Sequence, residues 1–129
     1  MNIPSNLKYT KNDEWIKVEG NTGTIGITDH AQEQLSDIVF VEIVVSEGDS
    51  VSQGDSCATV ESVKAAADVY MPVSGNVIAV NEALGDTPEK INSDPYGEAW
   101  FVKVELSNPD ELEGLMDAAA YTARVQEAE

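Results

Sequence analysis

The segment 61–68 reads Glu61-Ser62-Val63-Lys64-Ala65-Ala66-Ala67-Asp68 and guides the interpretation of the whole chain. Runs that contain valine and other strand-forming residues lie on both sides of it, at 57–60 and 69–73. Lys64 is separated from every other basic residue, because positions 18 to 89 hold no second lysine or arginine. This pattern predicts a β-hairpin with the lysine at its tip. A lysine that stands clear of the fold among small neighbours suits the covalent attachment of a cofactor arm.

The sequence on the two sides of this hairpin is roughly symmetric. Gly54 lies ten residues before Lys64, and Gly75 lies eleven residues after it. A hairpin between two similar groups of strands predicts a mainly β fold, either a β-sandwich or a flattened half-barrel with a quasi-twofold axis. We also expect Gly75 to have positive φ in its turn, so that a valine at this position would destabilise the fold.

Further strands are predicted before the hairpin. Segments 14–18 and 22–28 have strand character, and Gly20 followed by Asn21 is a typical hairpin turn between them. Segment 38–45 is almost continuously apolar and rich in β-branched residues. Such a run predicts a strand that is buried along its length.

Short helices complete the predicted architecture. Asp29 is placed to cap a helix that runs to residue 35, with Gln32 at capping-box spacing. Two more helices are expected at the C-terminus, the first starting with Pro109 after an asparagine cap and the second capped by Asp117. The apolar face of the first of these two would consist of Leu112, Leu115 and Met116. Residues 1–129 are expected to form a single domain.

The composition excludes some classes of partner. The chain has 24 acidic and 7 basic residues, which gives a formal net charge of −17 at pH 7. Nucleic acids and anionic membrane surfaces are poor partners for such a chain, because both attract clustered Lys and Arg. The acidity favours either solubility or attraction to basic surfaces on partner proteins.

Cysteine, histidine and the N-terminus set further limits. Cys57 is the only cysteine, so no intramolecular disulfide can form, and its apolar surroundings predict a small buried side chain. One cysteine and one histidine cannot form a zinc site without several carboxylates, and no metal site is expected. No targeting segment and no apolar run of membrane-spanning length are visible. We expect a cytoplasmic chain, or a mitochondrial matrix protein if this is a processed mature form.

The lysine hairpin resembles a lipoyl-attachment motif, and nearly the whole chain resembles the glycine cleavage system H proteins. Four segments carry the resemblance in order: 7–15, 26–35, 61–75 and 91–100. The chain also departs from the family pattern at several positions. Asp13 stands where histidine is frequent, Ser36 where glycine is common and Val44 where proline is common, and Lys90 and Ala99 replace a more usual leucine and glycine. None of these departures touches the hairpin tip, although Asp13 could alter how a cofactor arm rests near the N-terminal segment.

The resemblance implies a lipoyl/biotinyl-carrier-like fold and a carrier subunit without catalytic activity of its own. Lys64 would hold lipoate through an amide bond, and lipoyl-attaching enzymes would form it. The arm would take an aminomethyl group from a pyridoxal-phosphate-dependent glycine decarboxylase, the P protein, and deliver it to a tetrahydrofolate-dependent aminomethyltransferase, the T protein. Dihydrolipoamide dehydrogenase, the L protein, would reoxidise the arm. A monomer is expected, since one exposed arm must visit three partners.

The resemblance also suggests roles for other residues. The hairpin would be shaped for recognition by five residues: Glu61, Ser62, Val63, Ala65 and Asp68. Glu14 and Asp68 are candidates to pair with the amine of the carried group, and Thr28 and His30 are weaker candidates for docking the arm. The alternatives remain open: Glu14 and Asp68 as ordinary exposed acids, and His30 as a local packing or hydrogen-bonding residue.

Other functions remain possible on the sequence. An H-like protein that relays lipoyl groups to other enzymes needs the same Lys64. A biotinyl carrier has a similar hairpin but usually has methionine on both sides of the lysine, where this chain has Val63 and Ala65. Two further classes are a small enzyme using Asp29, His30 and Cys57 and a structural or regulatory module with an unmodified lysine. Lys64→Arg would abolish carrier function with the fold intact, whereas an enzyme that uses His30 or Cys57 would survive it.

Overall fold

The structure is a computed structural model, and it describes residues 2–128 of the chain. The strands in this range are β1 Lys8–Tyr9, β2 Glu14–Glu19, β3 Thr22–Ile27, β4 Ile38–Ile43, β5 Ser50–Val51, β6 Ser56–Ser62, β7 Ala66–Tyr70, β8 Gly75–Val80 and β9 Val102–Leu106. The helices are α1 Asp29–Leu35, α2 Ala83–Asp86, α3 Lys90–Ser93, a 3₁₀ helix at Pro109–Gly114 and α4 Ala118–Ala128.

The strands form two antiparallel sheets. The larger sheet has the order β1-β2-β3-β9-β8-β5, and the smaller has the order β4-β6-β7. The predicted mainly β fold with short helices is therefore confirmed. Strands β6 and β7 form the predicted hairpin around Lys64. Strand β5, which precedes this hairpin in the sequence, pairs with β8, which follows it. The assignment of a single domain to residues 1–129 stays a prediction.

The main core lies between the inner faces of the two sheets. Alternation along β6 and β7 directs Ala58, Val60 and Val69 inward, where 2% or less of each is exposed. Cys57 is fully buried as predicted, and burial is the main cause that raises the pKa of its thiol to about 12. A second apolar cluster joins the N-terminal segment to α4, where the rings of Tyr9 and Tyr121 stack with centroids 4.6 Å apart.

The prediction that segment 38–45 is buried along its length is wrong. Strand β4 is an edge strand of the smaller sheet, and only one face of this sheet packs on the core. Val41 points inward, whereas Val39 is 55% exposed and Phe40 is 46% exposed. The β-branched residues of this segment therefore support strand formation without all being core residues.

The first helix is capped one residue earlier than the sequence pattern suggests. Thr28, not Asp29, is the N-cap: it has extended backbone angles, and its Oγ1 accepts a hydrogen bond from the Ala31 N–H. Asp29 is the first helical residue, and its carboxylate accepts a hydrogen bond from Gln32 Nε2 at 2.7 Å. Strand β3 accordingly ends at Ile27 instead of including Thr28.

The two predicted C-terminal helices differ from each other. Pro109 opens a 3₁₀ helix that Asn108 does not cap with its side chain, and the chain is already extended at Leu115. The predicted helical face of Leu112, Leu115 and Met116 is therefore wrong. The second helix is an α-helix, and Asp117 caps it as predicted, with Oδ1 accepting the Ala120 N–H at 2.8 Å.

Gly75 is required for a different reason from the predicted one. Positive φ occurs at Gly20, Gly48 and Gly54, whereas Gly75 lies in the regular strand β8 without positive φ. A Cβ atom at Gly75 would collide with the backbone carbonyl oxygen of Glu105 in the neighbouring strand. The close approach of β8 and β9 thus excludes a side chain at this position.

Candidate functional site

The tip of the β6–β7 hairpin is organised by Ser62. The Ser62 N–H donates to the carbonyl oxygen of Ala65 at 2.8 Å and closes the turn. Ser62 Oγ accepts the N–H groups of Lys64 at 3.1 Å and Ala65 at 2.9 Å. A serine hydroxyl that bonds backbone groups two and three residues ahead stabilises a turn, here in addition to the backbone hydrogen bond between Ser62 and Ala65.

Lys64 projects from this turn into solvent. Both Lys64 and Ala65 are exposed, and Val63 is 69% exposed. The Val63 N–H donates to the Asp37 carbonyl oxygen at 3.0 Å, which ties the turn to the segment before β4. Within residues 2–128 Lys64 takes part in no ion pair. The backbone of the turn is therefore fixed, while no acidic side chain of the described residues binds the amine.

Glu14 lies in an opposite environment. It begins β2, and only 1% of it is exposed. Its carboxyl oxygens accept hydrogen bonds from the Thr10 hydroxyl at 2.5 Å and from the Tyr70 N–H at 3.2 Å. Burial raises the pKa of Glu14 to about 7, partly opposed by these two hydrogen bonds and assisted by the nearby charge of Asp13.

Glu14 and Asp68 line the same cleft. This cleft has a volume of about 190 Å³. Its wall is mostly apolar and includes Ile27, Leu35 and Val69. Asp68 is exposed on β7 and accepts a hydrogen bond from the Thr59 hydroxyl at 3.2 Å. The cleft thus has one buried carboxylate, that of Glu14, in its wall. Asp68 borders the cleft, but its carboxylate is bonded to Thr59 on the outer face of the smaller sheet.

Thr28 and His30 lie elsewhere. Thr28 is fully buried, and its hydroxyl contacts Tyr121 Oη at 2.7 Å while it caps α1. His30 lines a separate cavity of about 290 Å³ that also includes Asp13 and Arg124. Its Nδ1 is buried without a hydrogen-bond partner among the described residues. The structure therefore groups Glu14 with Asp68 and separates both from Thr28 and His30.

The sequence did not reveal the residues that hold Glu14. Thr10 precedes Glu14 by four residues in a loop and also accepts the Glu14 N–H through its hydroxyl. Tyr70 contributes a backbone group from 56 positions away, which no sequence motif marks. Leu35 could have been placed near the site from its position at the end of the predicted first helix.

Comparison with known proteins identifies the family. The sequence model described as Glycine cleavage H-protein matches residues 7–128. The chain belongs to this family. It is 56% identical over 127 residues to the "Glycine cleavage system H protein" of Shewanella oneidensis, with 98% of each chain covered. It is 53% identical over 127 residues to the protein of the same description from Salmonella arizonae, again with 98% of each covered.

A solved structure supports the same assignment. The crystal structure of a glycine cleavage system H protein from Mycobacterium marinum superposes with a TM-score of 0.85 at 37% sequence identity. The match covers 95% of this chain and 98% of that one. Membership of the H-protein family implies a role as a lipoyl-bearing carrier in glycine cleavage.

Two further observations concern membranes and metals. None of the helices within residues 2–128 has the length and apolar character needed to cross a bilayer. In the same part of the chain, no three His, Cys, Asp or Glu side chains are grouped so that they could hold a metal ion.

Proposed function

We propose that this H protein carries lipoate on Lys64 and shuttles the aminomethyl group of glycine between enzymes. The decarboxylase would load the arm, the aminomethyltransferase would unload it, and dihydrolipoamide dehydrogenase would reoxidise it. The observation that carries the proposal is the exposed Lys64 on a turn built by Ser62. The matching family and the bacterial relatives support these partners and a cytoplasmic setting.

The lysine tip fits the chemistry of attachment. The Lys64 amine, in its neutral form, would attack the carbonyl carbon of an activated lipoate, forming an amide and releasing the activating group and a proton. No carboxylate of the described residues binds the ammonium, so no ion pair must break first. Amide formation removes the positive charge from the tip, which favours its contact with apolar surfaces.

The cleft fits a carried amine. Lipoate on Lys64 would supply a disulfide that can accept the one-carbon unit, and the arm would stay attached to Lys64 as a dithiol after delivery. Glu14 would pair with the amine of that unit inside the cleft, Asp68 would do so from the border of the cleft, and the apolar wall that includes Leu35 would exclude water. A cationic amine near Glu14 stabilises the ionised carboxylate and lowers a pKa that burial has raised.

The test of this proposal is the mass of the protein isolated from its native host. We expect a lipoyl-sized increment, and peptide fragmentation should locate it on Lys64. Lys64→Arg should abolish the mass increment and the activity of the reconstituted system. The free energy of unfolding should change by less than about 0.5 kcal/mol, because the side chain is exposed.

Three other results would change the interpretation. A biotin-sized increment would assign the chain to carboxylase chemistry. An unmodified protein from cells that lipoylate other proteins would contradict the proposal. A lipoylated protein that fails with glycine decarboxylase but donates its lipoyl group to other enzymes would identify the relay function.

A further inference from the structure

The outer face of the smaller sheet lies beside the lysine tip. Side chains on this face alternate with the buried ones along each strand, and the strand register places Phe40 opposite Glu61 and Glu42 opposite Thr59. Thr59 in turn lies opposite Asp68 on β7. We define the β4 face as Phe40, Glu42, Val44, Thr59, Glu61 and Asp68.

The centre of the β4 face is apolar and open. Phe40 is 46% exposed and Val44 is 50% exposed, and Val39 at the adjoining edge is 55% exposed. Single exposed apolar side chains are ordinary on a protein surface. Here three exposed large apolar residues lie close together in the sequence, since Val39 and Phe40 are in β4 and Val44 directly follows it. An exposed aromatic residue in such a group is typical of the anchor residue in a protein interface.

The rim of this face is acidic and uncompensated. Glu42, Glu61 and Asp68 are all exposed. The ion pairs found within residues 2–128 involve Lys17 and Lys90, so none neutralises this rim. Apart from Lys64, no lysine or arginine occurs from position 18 to position 89. The face is therefore complementary to a partner whose surface presents lysine and arginine around an apolar pocket.

Lys64 lies directly beside this face. Phe40 pairs in register with Glu61, which precedes the lysine by three residues. Val63 at the tip is hydrogen-bonded to Asp37, just before β4. A protein large enough to enclose the Lys64 amine would have to cover part of the same surface.

We propose that the β4 face is the docking surface for the enzyme that attaches lipoate to Lys64. Phe40 inserts into an apolar pocket of that enzyme, and basic residues around the pocket meet Glu42 and Glu61. The inference rests on the proposed function, because it requires that Lys64 be lipoylated.

The experiment compares two serine substitutions at equally exposed apolar positions. Phe40→Ser removes the proposed anchor, and Ile78→Ser is the matched control, since Ile78 is 45% exposed but lies on β8 in the other sheet. Each unmodified protein is incubated with a purified lipoyl-attaching enzyme, lipoate and ATP, and initial rates are read by intact mass. We expect kcat/KM to fall about tenfold for Phe40→Ser and to be unchanged for Ile78→Ser. Phe40→Leu keeps an apolar side chain at this position, and we expect a smaller fall in kcat/KM. Such a graded fall would show that the loss in Phe40→Ser does not come from misfolding.

A second pair of variants tests the acidic rim. Glu42→Gln should lower kcat/KM at low salt and reduce its salt dependence, because rim charges act mainly on the association rate. Glu105→Gln is the control, since Glu105 is also exposed but lies on β9. Equal effects of the two substitutions on kcat/KM would mean that the rate depends only on the overall charge of the protein, and would contradict a contact at the acidic rim.

The outcomes separate the inference from the function on which it rests. If the wild-type protein is not modified, the proposed function fails. If it is modified and the Phe40 and Ile78 variants react at the wild-type rate, the docking surface is wrong and the function stands. If the wild type dimerises and Phe40→Ser only abolishes dimerisation, without a change in rate, the face binds a second copy of this chain and the inference is overturned.

Discussion

Lys64 is exposed at the end of a hairpin, whereas Glu14 is 1% exposed at the start of β2. A single serine shapes the turn that presents Lys64, while Glu14 is fixed by a loop hydroxyl and by a backbone amide from 56 positions away. The contrast shows two ways of preparing a functional group. Under the proposed function, a group that several enzymes reach needs local support and open solvent, and a group that pairs with charge needs fixed donors and burial.

Both regions depend on the frame behind them, and the largest expected effect comes from breaking that frame. Gly75→Ala places a Cβ against the Glu105 carbonyl oxygen in the neighbouring strand, and backbone cannot move aside as a flexible side chain can. We expect a loss of about 3 kcal/mol in the free energy of unfolding, measured by chemical denaturation. Gly114→Ala is the matched control, because a Cβ there meets nothing within 4 Å. Equal stability of the two variants would show that β8 and β9 are not as close as described.

The next effect concerns the buried carboxyl alone. Because burial raises the Glu14 pKa to about 7, the folded state binds a proton more tightly than the unfolded state does. The resulting stabilisation is fully present below the unfolded pKa of 4.5 and is lost as pH rises through about 7. The difference corresponds to about 3 kcal/mol across this range. Unfolding measured from pH 4 to pH 8 should show this decline in the wild type and a much smaller one in Glu14→Gln.

A second variant distinguishes Glu14 from other titrating groups. The Thr10 hydroxyl donates to the Glu14 carboxyl and lowers its pKa. Thr10→Val should therefore raise the Glu14 pKa further and shift the decline in stability to higher pH. A shift in the other direction, or an unchanged slope in Glu14→Gln, would assign the pH dependence to another residue.

A substitution in the segment between the cleft and the tip should have a smaller effect, and it should raise the free energy of unfolding instead of lowering it. Ser36 ends α1 with φ of 68° and ψ of −152°, a conformation that strongly favours glycine. Its neighbours are Leu35 in the cleft wall and Asp37, which binds the tip. We expect Ser36→Gly to stabilise the protein by about 1 kcal/mol in thermal or chemical unfolding. Ser107→Gly, at an exposed site without positive φ, should not stabilise it.

The sequence predicted the tip better than the cleft, for a physical reason. The tip is local: a serine, a lysine and small residues within one hairpin determine its shape, and their order is visible in the chain. The cleft is non-local, since the environment of Glu14 depends on Tyr70 and on packing between sheets. The burial of β4 was mispredicted for the same reason. Only the tertiary arrangement shows that one face of β4 is covered, with Val41 directed toward the core and Phe40 toward solvent.

The smallest expected effect tests how little support the tip needs. Ser62→Ala removes the acceptor for the Lys64 and Ala65 amides but leaves the backbone bond between Ser62 and Ala65 intact. Because these groups are exposed, water can replace the hydroxyl, and the loss of stability should be about 0.5 kcal/mol. Hydrogen exchange at the two amides should nevertheless become faster, and Ser62→Thr, which keeps a hydroxyl, should retain most of the protection.

This last measurement decides whether the turn is preformed by its own residues. If exchange at Lys64 and Ala65 is unchanged in Ser62→Ala, the order of the tip comes from the Val63 contact to Asp37 instead of from the serine. The tip would then depend on the segment that also forms the end of the cleft wall, and the distinction between a locally supported lysine and a non-locally supported carboxyl would no longer hold. If exchange accelerates only at these two amides, the distinction stands, because the disturbance stays inside one turn.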